Sequence, residues 1–71
     1  MLKTLRVTPV EEIQAGEVVR FGDRVVLVDG VATAVLPYKG AGFPVAYVEG
    51  RDHEGGVQLT LRAGEIVIAG R

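Results

Sequence analysis

Valine broken at short intervals by glycine is the feature that most restricts this chain. Thirteen of its 71 residues are Val and ten are Gly. β-Branched side chains crowd a helical turn and fit a pleated sheet, so the Val-rich segments read as strands and the glycines between them as turns or bulges. No window carries a helix-length stripe of apolar residues at i, i+3, i+4 and i+7. The length allows one small domain, spanning residues 1–71. An apolar content of 48% against 24% charged supports a packed core rather than disorder.

Read along the chain, Lys3 to Val7 forms a first strand with Leu5 and Val7 on one face. Thr8-Pro9 ends it, and residues 10–14 form one helical turn: Thr8 is placed to cap it, Pro9 to begin it, and Glu11 and Glu12 stand near its positive end. Glu17 to Phe21 is a short strand, closed by a Gly22-Asp23 turn in which Gly supplies the positive φ. Arg24 to Asp29 is apolar on both faces, Val25 and Leu27 on one, Val26 and Val28 on the other. Gly30 breaks or bulges it, Val31 to Leu36 continues, and Pro37 ends it. Tyr38 to Gly42 reads as a loop, and Phe43 to Glu49 as a strand that Pro44 places at an edge or a start. Gly50 to Gly56 is a polar hairpin loop. Val57, Leu59 and Leu61 face inward from the next strand, and Ile66 and Ile68 from the last, after a turn at Arg62-Ala63-Gly64. The result is an all-β fold, a small antiparallel barrel or sandwich of five to seven short strands.

Such a chain has one core face per strand, and a second apolar face needs cover. Val26, Val28, Ala46 and Val48 lie opposite the faces assigned inward, so they are read as the interface of a homo-oligomer. Association also relieves the weakness of a core this small with no disulfide.

Several kinds of chemistry are missing from the residue list. There is no Cys and no Ser, which removes thiolate and Ser nucleophiles and thiolate metal sites. His53 is the single His, in Arg51-Asp52-His53-Glu54; adjacent residues rarely orient one another as a base and its partner, so a solvated loop is the favoured reading. Those three groups are too few for a metal site at the usual spacings. Glu11-Glu12 reads as a helix-start charge pair rather than a catalytic one. Gly40-Ala41-Gly42-Phe43-Pro44 lacks the Gly-Lys-Ser/Thr ending of a phosphate loop. The expectation is a non-catalytic chain with no cofactor and no metal. No apolar run approaches bilayer length, and the first residues carry no leader-like apolar stretch, which leaves the cytoplasm as the expected setting.

Gly22-Asp23-Arg24-Val25-Val26-Leu27-Val28-Asp29-Gly30 is similar to the opening of the KOW motif of ribosomal and transcription-elongation proteins, Gly-Asp-x-Val-x-apolar-x-x-Gly. The pattern departs at Val31-Ala32-Thr33-Ala34-Val35, where KOW motifs continue with basic residues and glycines. The stretch from Ala15 to Val25 resembles the opening hairpin of SH3-like small barrels. The whole layout, with Ile13-Gln14-Ala15-Gly16-Glu17-Val18-Val19 at the entry and Ile66-Val67-Ile68 at the close, resembles small SH3-like proteins of high-GC actinobacteria and their phages. Six Arg against two Lys fit such a genome. The resemblance implies an SH3-like barrel and a phage accessory protein, at work in the host cytoplasm or the virion.

Two surfaces compete for the functional role. Tyr38, Lys39, Phe43 and Tyr47 gather around one loop, where aromatics can line a groove for a protein partner; the competing reading, favoured for Phe43 and Tyr47 because large aromatics dominate small cores, spends those two on the core. Arg20, Arg24, Arg51 and Arg62 could form a basic patch for RNA or DNA, with Tyr38 stacking on a base. A net charge of −1 and acidic neighbours beside nearly every Arg favour the first reading. The chain is therefore expected to be a binding module that self-associates and captures a protein partner, with a nucleic-acid-binding barrel as the alternative.

Overall fold

The structure is a computed structural model and describes residues 4–71. Lys3, read as the start of the first strand, lies outside the described residues. Six strands form one antiparallel sheet: β1 (Leu5–Pro9), β2 (Val18–Phe21), β3 (Arg24–Tyr38), β4 (Ala41–Asp52), β5 (Gly55–Arg62) and β6 (Ile66–Gly70), in the order β1-β6-β2-β3-β4-β5. The all-β reading holds, and the expected helical turn is a single 3-10 turn at Val10–Glu12. Its first residue is Val10 rather than Pro9. Thr8 does not cap it; the Thr8 hydroxyl donates to the carbonyl of Pro9 instead.

The core lies on the concave side of this sheet. Val19 of β2, Val28 of β3, Ala46 and Val48 of β4, and Val67 and Ala69 of β6 close around Val10 and Ile13. Phe21, Val31, Leu59 and Leu61 pack against that cluster from its margin. Val26 is fully buried as well.

This arrangement reverses the expected faces. Val26, Val28, Ala46 and Val48 are core residues, not a spare surface, and Leu5, Val7, Ile66 and Ile68 point outward. The reason is that both faces of β3 and β6 are apolar, so period-2 alternation cannot say which side is in, and in β1 the polar Arg6 and Thr8 share the covered side while Leu5 and Val7 are exposed. On β6 the inward side holds the smaller residues, Val67 and Ala69, because the pairing sets Ala69 opposite the core residue Val19.

A bulge changes which residues of β3 face inward along its length. The register with β4 jumps from Val28↔Gly50 to Gly30↔Glu49, leaving Asp29 unpaired. One extra residue shifts the parity, so Val26 and Val28 point inward before the bulge and Val31 after it. Gly50 is required at this point: a Cβ there would overlap the carbonyl oxygen of Leu27 and sit 2.6 Å from Val26 Cγ1.

β3 and β4 are 15 and 12 residues long, not short. Pro37 does not end β3, and the Tyr38–Gly42 loop contracts to a two-residue turn closed by Tyr38↔Ala41. Pro37 is accommodated because its position relative to that closing pair turns its nitrogen away from β4. Similarly, the polar loop at 50–56 contracts to His53-Glu54 between Asp52 and Gly55.

Candidate protein-interaction surface

Beyond the last β2 and β5 pairings, at Leu27 and Val45, the β3–β4 hairpin continues as a two-stranded ribbon. The molecule is accordingly elongated, 45 × 25 × 20 Å. A two-stranded ribbon is marginal by itself, so its side chains must hold it. On its outer face Tyr38 and Phe43 meet with ring centroids 6.1 Å apart and planes tilted by 54°. Lys39 Nζ lies 5.5 Å from the centre of the Tyr38 ring, and the Arg62 guanidinium, reaching over from β5, lies 5.0 Å from that of Phe43. Cation, ring, ring and cation thus form one ladder along the arm.

The turn that builds this ladder is unusual. Lys39 and Gly40 both have positive φ, 48° and 79°, as the twist of a tight hairpin requires. Asn or Gly meets that requirement at lower cost than Lys. The strained position keeps an ammonium group beside Tyr38.

Of the four aromatic-loop residues, the structure brings Tyr38, Lys39 and Phe43 together and adds Arg62. Tyr47 shares their face but stands nearer the body of the sheet, where it lines a shallow groove with Gly30, Ala32, Glu49 and Gln58. Phe43 and Tyr47 are both half-buried and outside the core cluster.

The four arginines do not gather into a patch. Arg24 pairs with Asp52 at 3.5 Å and Arg51 with Asp29 at 3.3 Å, while Arg20 Nε donates to the carbonyl of Gly22 at 2.8 Å. Arg62 lies over the Phe43 ring at the base of the arm, where it remains exposed.

A second outer surface was not anticipated in this position. Leu5, Val7, Val25, Leu27, Ile66 and Ile68 are each at least 40% exposed on the outer side of β1, β3 and β6. Leu5, Val18, Arg20, Val25 and Ile68 line one shallow hollow there. The excess of apolar strand residues signals such a face, but only the core assignment shows which one it is.

Other singled-out residues have structural roles. Glu11 Oε1 accepts the Gly64 amide at 2.8 Å and so braces the β5–β6 turn. The Asp52 carboxylate accepts the Glu54 amide at 2.8 Å, and His53 is exposed at the same turn. Gly40 to Pro44 belong to the ribbon. Glu17 is the one buried carboxylate with a large shift: hydrogen bonds from Arg6 and from the Gln14 amide lower its pKa to about 2. No helix of the described residues is long and apolar enough to cross a membrane. No protein-family model, curated protein or solved structure matches this chain.

Proposed function

We propose that this chain is a non-catalytic interaction module that captures a protein partner on the outer face of its sheet, with the β3–β4 arm as the point of recognition. The observation that carries this reading is the arm itself: a ribbon projecting past its neighbours, with paired aromatic rings flanked by two cations. Aromatic rings offer a large contact area with few rotors to immobilise. Lys39 and Arg62 at the two ends favour a partner segment that alternates apolar and acidic side chains. The exposed apolar side chains of β1, β6 and β3 supply further contact area for the same partner, since a patch of this kind on a small protein calls for cover.

Peptide binding tests this. A short peptide alternating Leu and Glu should bind, and its Leu/Lys counterpart should not. Phe43→Ala should weaken capture by ~10-fold or more while leaving the β-type circular dichroism spectrum intact. An oligo-dT strand that binds more tightly than the acidic peptide, with affinity falling steeply as salt rises, would transfer the function to nucleic acid.

A further inference from the structure

Among the described residues the β5 strand ends the sheet, with a hydrogen-bonded neighbour only on its β4 side. Natural edge strands are blunted by Lys, Pro, bulges or short length. β5 has none of these: it is eight residues long, Gly55-Gly56-Val57-Gln58-Leu59-Thr60-Leu61-Arg62, pairs with β4 without a register break, and is uncharged up to Arg62. The opposite edge, β1, is only five residues and ends on Pro9.

We infer that β5 pairs antiparallel with β5 of a second copy, about a two-fold axis at Leu59. This rests on the reading that the chain works by association with other polypeptides, and it names one of them. The backbone directions come first. Ala63 donates its amide to the carbonyl of Pro44, and the hairpin closes at Asp52↔Gly55 across a two-residue turn. Odd-numbered residues of β5 therefore bond to β4. The amides and carbonyls of Gly56, Gln58, Thr60 and Arg62 point away from the sheet.

The side chains agree with that geometry. Val57-Gln58-Leu59-Thr60-Leu61 reads apolar, polar, apolar, polar, apolar in either direction. Centred on Leu59, Val57 meets Leu61 of the second copy and Gln58 meets its Thr60. Val57, Leu59 and Leu61 are only half-buried on the core side, so the pairing completes their burial. Gln58 and Thr60, both exposed, meet on the outer face. Arg62 falls opposite Gly56 of the other copy, one diagonal step from its Glu54 and of opposite charge. An isologous contact of this kind closes at two copies and leaves no β5 edge for a third.

The chain has no Cys, which makes the register directly readable. Leu59 of each copy would form a pair without mutual hydrogen bonds, with Cα atoms about 4.5 Å apart, inside disulfide range. Under mild oxidation Leu59→Cys should cross-link to a dimer. Leu61→Cys alone should not, and Val57→Cys combined with Leu61→Cys should. Light scattering of the unmodified chain at high micromolar concentration should give a dimer. Thr60→Pro, which removes an outward amide only, should raise its dissociation constant by ~10-fold or more. Phe43→Ala should leave the dimer intact, which separates this inference from partner capture. A monomer by light scattering, or cross-linking through Gln58→Cys in preference to Leu59→Cys, overturns it.

Discussion

Arg6 and Glu17 grip each other through two hydrogen bonds, Nε to Oε2 at 3.0 Å and Nη2 to Oε1 at 2.7 Å. The same guanidinium donates to the carbonyl of Glu12 at 2.7 Å, and the Gln14 amide donates to Glu17 Oε1 at 2.8 Å. The backbone of Glu17 is tied in turn to Val28, whose amide donates to the Glu17 carbonyl at 2.8 Å. One carboxylate therefore fastens β1, the segment after the 3-10 turn, and the entry to β2.

This pair predicts a pH dependence. The folded pKa of Glu17, about 2, lies below the ordinary 4.5, so its contribution is fully present above about 4.5 and is lost as pH falls toward 2. Urea melts of the native chain and of Glu17→Gln should differ most near neutral pH. The gap should narrow through this acid window. A gap that stays constant down to the acid limit would show that the ion pair contributes nothing through its charge.

The bulge predicts a contrast between two glycines. Gly50→Ala forces a methyl group into the Leu27 carbonyl and the Val26 side chain, and should cost about 2–3 kcal/mol by thermal or urea unfolding. Gly56→Ala, whose Cβ would meet nothing within 4 Å, should stay within about 0.5 kcal/mol. Equal effects would place the close approach elsewhere.

The arm predicts a trade between stability and binding at Lys39. Lys39→Asn relieves a positive φ and should leave unfolding unchanged or raise stability by about 0.5–1 kcal/mol. It should also weaken capture of the acidic peptide, because the cation beside Tyr38 is gone. Tighter capture by Lys39→Asn would remove Lys39 from the contact surface.

Much of the fold is legible in the residues. The strand content, the Gly22-Asp23 turn with Gly22 at φ 62°, the break near Gly30 and the Val57–Leu61 alternation all follow from local chemistry. Two features do not. Pro37 and the glycines around Lys39 are turn formers, and they read as a loop where the chain makes a ribbon. That reading fails because Pro37, paired with Gly42 at a position without mutual hydrogen bonds, turns its nitrogen to the side of the ribbon where no third strand pairs. The direction of each strand's inner face is also hidden. Ile66 outranks Val67 in hydrophobicity, yet the register that sets Ala69 opposite the core residue Val19, not rank, puts Val67 on the covered side. The candidate site inherits both effects. Tyr38, Lys39 and Phe43 are visible as a cluster in sequence, whereas Arg62 joins them only through the β4–β5 register, and Leu5, Val25 and Ile68 emerge as surface only once the core is assigned.

The central claim is that one face of this sheet holds the fold and the other is left for association. Thermal unfolding of a neighbouring pair on β6 tests it most directly. Val67→Lys places a charge in the core and should cost at least about 3 kcal/mol, a loss of more than about 10 °C in a domain of this size. Ile68→Lys, on the outer face, should melt within about 4 °C of the native chain. Comparable losses for the two substitutions would contradict the account.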